Sequence, residues 1–159
     1  MEVAIRLLQT RDAYKSYIWR NDKEVFAHTT VTYQHEITLE MELEWINRVI
    51  GNEDEYRCAI EVDGLYVGNI YLTGITSTQA EYHIFIGEKA FWGKGVAYKA
   101  SRQILNYAFN QLHLEMVFLE VSPQNERAIS LYQKLGFEKR KIRNGFMIMD
   151  LMVDRFNTI

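Results

Sequence analysis

Six consecutive residues, Trp92-Gly93-Lys94-Gly95-Val96-Ala97, stand where an apolar strand pattern ends and a helical pattern begins. Glycines at such a junction make an anion site. The free N–H groups of the first helical turn point outward, the helix dipole favours negative charge there, and a missing Cβ lets a phosphate come close. The spacing is not that of a P-loop, because no G-K-[ST] follows the required four-residue gap. Nor is it a dinucleotide fingerprint, since the third glycine is missing at its offset and no βαβ unit opens the chain. Spacing alone leaves phosphate binding and plain helix capping both open. Metal and thiol chemistry are not indicated. His28, His35, His83 and His113 lack ligand spacing and read as structural or surface residues, and Cys58, the single cysteine, sits in the apolar run YRCAIEV as a packing residue.

The elements that must hold this loop follow from periodicity and turn chemistry. Val3–Leu8 reads as a strand and Asp12–Arg20 as a helix that Thr10 or Asp12 caps. Residues 21–37 are polar, aromatic and irregular. Thr38 opens a helix with the stripe Leu39, Leu43, Ile46 and Ile50, although Met41 stands where a capping-box glutamate would be. Tyr56–Val62 and Leu65–Thr73 are strands joined by the hairpin pair Asp63-Gly64. Glu81–Ile86 is a strand that leads into the glycine loop, and a helix then runs from about Gly95 to Leu112. Met116–Val121 returns as a strand and Asn125–Leu135 as a helix; Phe137–Ile142 and Phe146–Val153 close the chain as a pair through Asn144-Gly145. Only the segment 81–121 has a connection long enough for a parallel crossover. The predicted fold is therefore α/β (α+β): a mixed, mostly antiparallel sheet with a central β-α-β crossover and flanking helices.

Bulk properties fit one domain over residues 1–159. The chain is 48% hydrophobic and 25% charged, as in an ordinary soluble protein. A net charge of −3 offers no global field for nucleic acid or an anionic membrane. No apolar run approaches the roughly 20 residues of a membrane span. The N-terminus reads as a strand rather than a signal peptide, so the expected location is cytoplasmic.

After the crossover helix, the run LEVSPQNERAISLYQKLGFEKR places Asn125, Ala128, Leu131, Tyr132, Gly136 and Phe137 in an N-x-x-A-x-x-L-Y-x-x-x-G-F pattern. Together with the glycine loop, which matches [QR]-x-x-G-x-[GA] at Gly95 and Ala97, this resembles the GNAT superfamily of N-acetyltransferases over nearly the whole chain. Trp92 departs from the usual first residue and is similar to the branch containing ribosomal-protein N-terminal, spermidine and amino-sugar acetyltransferases. The resemblance implies transfer of acetyl from acetyl-CoA to an amine, with no metal. It places the pyrophosphate on Trp92, Gly93, Lys94, Gly95, Val96 and Ala97. The pantetheine and acetyl carbonyl would lie against the backbone of Phe85 and Ile86, on a strand that splays from its neighbour. Asn125 resembles the side chain that bonds the coenzyme arm. Tyr132 resembles the acid that protonates the departing thiolate, which a phenol of ordinary pKa about 10 can do at neutral pH. Glu81 stands where some members carry a carboxylate base; a water relay is its rival.

In this fold the acceptor pocket is expected from the first two helices and the stretch between them, Tyr17 to Glu36. Its tryptophan and tyrosines could stack on a sugar or flank an aliphatic amine, and Asp22, Glu24 or Glu36 could attract a cation, while Trp19 serves equally well as core. The segment Trp19-Arg20-Asn21-Asp22 is similar both to acetyltransferases of nucleotide-linked amino sugars and to members acting on protein N-termini. Amino sugar, peptide N-terminus and polyamine all stay open, as does a homodimer. Two rival readings are an idle acyl-CoA-binding module, which would not need the phenol, and a module binding ATP at the glycine loop.

Overall fold

The computed structural model describes residues 1–27 and 35–159. The chain opens with strand β1 (Val3–Leu7), a 3-10 turn at Thr10–Asp12, and helices α1 (Ala13–Arg20) and α2 (Leu39–Val49). Strands β2 (Tyr56–Val62), β3 (Leu65–Thr73) and β4 (Gln79–Ile86) follow, then a 3-10 turn at Lys89–Phe91 and helix α3 (Val96–Asn110). Strand β5 (Met116–Val121), helix α4 (Glu126–Leu135), strands β6 (Glu138–Arg143) and β7 (Phe146–Met152), and a short helix α5 (Val153–Phe156) complete the order. The predicted α/β class and element order hold. Thr38 caps α2 by accepting the Met41 N–H at 3.1 Å, without the glutamate half of a capping box. At both hairpins the turn residues take positive φ: Asp63 and Gly64 at 50° and 84°, Asn144 and Gly145 at 52° and 83°. The last strand stops one residue short of the prediction. There the Val153 N–H turns to the Glu115 carbonyl at 2.9 Å, and α5 brings Phe156 against Phe109 of α3, their ring centroids 5.0 Å apart.

Seven strands form one sheet in the order β1-β2-β3-β4-β5-β7-β6, antiparallel except where β5 lies parallel to β4. That parallel contact is brief. Gln79, Ala80 and Glu81 pair with Met116, Val117 and Phe118, after which β4 follows β3 to Ile86 while β5 follows β7 to Val121. A wedge opens in mid-sheet. Gly68 of β3 lets β4 bend away, because a Cβ there would fall 2.4 Å from the Phe85 carbonyl oxygen and 3.0 Å from the Ile86 Cα.

The two faces of the sheet carry different layers. Along β4, Tyr82, Ile84 and Ile86 share one face by the period of two, and Glu81, His83 and Phe85 the other. On the first face the Tyr82 hydroxyl lies 2.6 Å from Ser101 Oγ of α3. The core there includes Ile104, Leu105, Val117, Leu119, Leu135 and Met149. Each such aliphatic side chain contributes about 1.5–3 kcal/mol on burial. On the second face Trp19, Ile46, Tyr66 and Tyr71 pack with Phe85 under α1 and α2. Gln103 of α3 ties the far edge, accepting from Ile5 N at 3.1 Å and donating to Val3 O at 2.7 Å.

Candidate active site

The glycine loop owes its composition to backbone conformation. Gly93 and Gly95 have φ of +74° and +81°, where a Cβ costs about 1–2 kcal/mol. Gly95 is the N-cap of α3 and brings no side chain onto the first turn, which leaves the N–H groups of Val96, Ala97 and Tyr98 without intrahelical acceptors. A Cβ on Gly95 would meet nothing within 4 Å, so the protein itself requires this glycine for its φ rather than for clearance. Trp92 Nε1 donates to the Ile86 carbonyl at 2.8 Å and fastens the loop to the end of β4. Lys94 is exposed and points outside the cleft lining. The cation at the loop is Arg127 of α4, whose Nη2 would lie 2.8 Å from a Cβ on Gly93. Sequence reading passed over Arg127 because it occupies a variable position of its motif.

The open side of β4 continues from this loop. The Gly87 N–H donates to the Val67 carbonyl at 2.8 Å, so by alternation Phe85 and His83 also direct their backbone groups to β3. Ile84 and Ile86 then face the wedge. Of the two positions expected to present backbone to a ligand, Ile86 turns its backbone to the wedge, with its carbonyl taken by Trp92, while Phe85 turns its backbone to β3; Ile84 shares the wedge side with Ile86. Across the wedge, the Asn125 side-chain oxygen accepts the Ala128 N–H at 3.2 Å as the cap of α4, leaving the amide nitrogen as a donor. Tyr132 lies edge-on to Tyr82, ring centroids 5.7 Å apart, and to Phe137 at 6.1 Å. Burial pushes its phenol up to about 12, which keeps it protonated at neutral pH. Its hydroxyl has no hydrogen-bond partner among the described residues and is turned to the cleft.

A continuous cleft of about 1050 Å³ passes through the wedge to the α1–α2 face. There His83 Nε2 lies 2.8 Å from Thr73 Oγ1 and 3.8 Å from Glu81 Oε2. Burial, then the positive charge of Arg57, pulls the imidazole down to about 4, so it is neutral at pH 7. Burial and then Glu120 raise the Glu81 carboxyl above its usual range, against Arg143. Glu81 itself is not on the cleft wall, whereas Glu120 of β5 is, accepting from Arg143 Nη2 at 2.7 Å. The period of two could have found it. Glu81 is level with Phe118, so Glu120 lies two residues into the wedge on the same face.

The end of the cleft where an acceptor is expected differs from expectation in several residues. Trp19 is core, 5% exposed, with its ring 4.8 Å from Tyr66. Asp22 and Glu24 clamp Lys89 Nζ at 2.8 and 2.9 Å, and only Glu24 of the two reaches the cleft wall. Tyr17 and Glu36 do not line it, and His28 and Tyr33 lie outside the described residues. Trp45, Tyr71, Phe26 and two arginines do line it. Arg20 Nε meets Glu42 at 2.7 Å, with Ser16 Oγ donating to the same oxygen at 2.6 Å. Arg57 Nε donates to Glu55 at 3.0 Å, and its guanidinium lies over Tyr71 and Trp45. Among the described residues no group of three His, Cys, Asp or Glu side chains could hold a metal ion, and no helix is long and apolar enough to cross a membrane.

A family model described as an acetyltransferase (GNAT) domain matches residues 2–138. The spermidine N(1)-acetyltransferase of Escherichia coli K12 is 37% identical over 90 residues, which cover 55% of this chain and 48% of that protein. The putative ribosomal N-acetyltransferase YdaF of Bacillus subtilis is 33% identical over 89 residues, 54% of this chain and 48% of that protein. The match thus spans about half the length of these curated relatives. A crystal structure of Vibrio cholerae spermidine N-acetyltransferase with CoA and spermine superposes with a TM-score of 0.86 at 22% identity, covering 98% of each chain. At that identity the likeness is one of fold.

Proposed function

The chain belongs to the acetyltransferase (GNAT) domain family, and on that premise we propose that it transfers acetyl from acetyl-CoA to a primary amine by direct attack. One observation carries this reading: a single cleft joins the free N–H groups at the start of α3 to the protonated phenol of Tyr132 through an open strand edge. The fit to coenzyme A is chemical. The first-turn N–H groups of Val96, Ala97 and Tyr98, with Arg127 beside Gly93, suit a pyrophosphate. The backbone of Ile84 and Ile86 suits the amide-bearing pantetheine arm, and the Asn125 amide nitrogen adds a donor from the far wall. Acetyl-CoA supplies an activated acyl carbon; the rest is done by this chain. An open-edge N–H of β4 would stabilise negative charge on the carbonyl oxygen, and Tyr132 would donate its proton to the leaving sulfur.

The amine's proton would leave on the opposite face, where Glu120 faces the cleft and Glu81 stands behind His83. Acid and base would thus act from different layers, the base on the side from which the amine adds to the carbonyl carbon and the acid beside the sulfur that leaves when the tetrahedral intermediate collapses. The names of the relatives put a polyamine among the candidate acceptors, beside amino sugars and peptide N-termini. A reducing, cytoplasmic setting suits the unpaired, buried thiol of Cys58.

Thiol release with acetyl-CoA and a panel of amines tests the activity. Tyr132→Phe keeps the ring and removes the proton, so turnover should fall roughly 10²-fold with coenzyme affinity nearly intact. Coenzyme binding without thiol release for any amine would favour the idle module. Calorimetric affinity for ATP equal to that for coenzyme A would favour the nucleotide reading.

A further inference from the structure

We propose that Arg57 is the acceptor-recognising residue and that the acceptor is an amine carrying an oxyanion, a carboxylate or phosphate, near the nitrogen to be acetylated. The proposal rests on the acetyltransferase reading above and narrows it. Arg57 leaves β2 directly opposite Tyr71 of β3 and extends beneath α2. Its guanidinium carbon lies 4.4 Å from the Tyr71 ring centroid and 4.9 Å from that of Trp45. Nε and Nη2 both turn to Glu55 Oε1, and no hydrogen bond to a described residue engages Nη1. The fork is therefore immobilised by two rings and one carboxylate, with an edge to spare, as a bidentate anion site requires.

The orientation of the ion pairs decides which charge a ligand meets. Arg57 and Arg20 lie on the cleft wall, while their carboxylates, Glu55 and Glu42, do not. The aromatic faces that would otherwise attract an ammonium are already covered: Trp45 by Arg20 at 4.2 Å and by Arg57, Tyr71 by Arg57. Carboxylates that do reach the wall are neutralised from behind, Glu24 by Lys89 and Glu120 by Arg143. His83, also on the wall, is neutral. A polycation entering this end would meet guanidinium groups on aromatic seats. An oxyanion would meet a charge-assisted donor, and its amine would then lie toward His83 and Glu120, at the wedge.

The test compares matched acceptors at saturating acetyl-CoA: glucosamine 6-phosphate against glucosamine, alanine against alaninamide, and spermidine. The oxyanion-bearing member of at least one pair should have a kcat/KM about 10-fold or more above its neutral partner, with spermidine below both. The two pairs separate a phosphate from a carboxylate. In Arg57→Gln, checked for folding by circular dichroism, that ratio should collapse toward one, and Arg57→Lys should restore part of it. A wild-type ratio at or below one in both pairs, an unchanged ratio in folded Arg57→Gln, or spermidine as the best acceptor would overturn the proposal while leaving the acetyltransferase reading standing. If no amine is turned over, that earlier reading fails instead. Calorimetry of the same pairs on the CoA-bound protein then still decides: phosphate- and carboxylate-bearing members binding no tighter than their neutral partners overturns the role of Arg57.

Discussion

Three titratable side chains lie together at the cleft beyond the wedge, Glu120, Glu81 and His83, and each predicts something different. If the amine's proton goes to Glu120, Glu120→Gln should lower the rate at neutral pH and recover part of it as pH rises, because more of the amine is then already neutral. Glu81→Gln should have a smaller effect of the same sign, since Glu81 reaches the cleft only past His83, 3.8 Å away. Coincident pH–rate profiles for the wild type and Glu120→Gln would remove Glu120 from the mechanism. His83 makes a prediction about stability. Its pKa is lowered from 6.5 to about 4 in the fold, so between those values the unfolded chain binds a proton that the folded chain refuses. Stability therefore falls as pH drops from about 6.5 to about 4, and this group adds no further loss below that. Urea midpoints for His83→Gln at pH 7, 5.5 and 4.5 should fall less steeply than those of the wild type. Parallel slopes would mean that His83 titrates normally.

At the scale of elements, the start of α3 concentrates the chemistry of the loop. Gly95 holds φ +81° with open space around its Cβ position, so Gly95→Ala tests conformation without a clash. Stability should fall by about 1–2 kcal/mol, and coenzyme affinity should fall with it as the first-turn N–H groups reorient. Gly95→Asn should lose less, because asparagine tolerates the left-handed region better. Melting curves and coenzyme calorimetry on both variants check this; full affinity in Gly95→Ala would mean that the N–H groups are not the pyrophosphate ligands.

For the whole molecule, the wedge is a mechanical division. Between β4 and β5 only three residue pairs join the two parts of the sheet, with α3 packed across them. A ligand seated in the wedge and touching both walls should act as a brace. At a coenzyme A concentration about 100 times Kd, linkage gives about 2.7 kcal/mol, which for a chain of this size raises Tm by roughly 5–10 °C. The same concentration of ATP should do markedly less. Amide exchange at Ile84 and Ile86, on the open edge, should slow on coenzyme binding. Exchange that stays unchanged there at saturation would place the ligand elsewhere.

What the sequence determined by itself was local. Asp63-Gly64 and Asn144-Gly145 announced hairpins because type I′ turns demand positive φ at both positions, and both pairs adopt it. Helices and strands followed from periodicities that a window of ten or so residues contains, and the glycine loop and the Asn125–Phe137 run could be recognised because each is contiguous. The tertiary structure alone decided which groups share the cleft. That Phe85 turns its backbone to β3 and Ile84 to the wedge depends on register against Gly68 and Val67. That Glu120 rather than Glu81 faces the cleft depends on where β4 and β5 part company. Arg57 became a cation of the cleft wall only when α2 laid Trp45 over it, and Arg127 reached Gly93 only when α4 docked. Side chains and backbone groups alternate direction at every residue of a strand, so a register error of one residue reverses every such assignment. Register between segments tens of residues apart is set by packing across the sheet, which no local window contains.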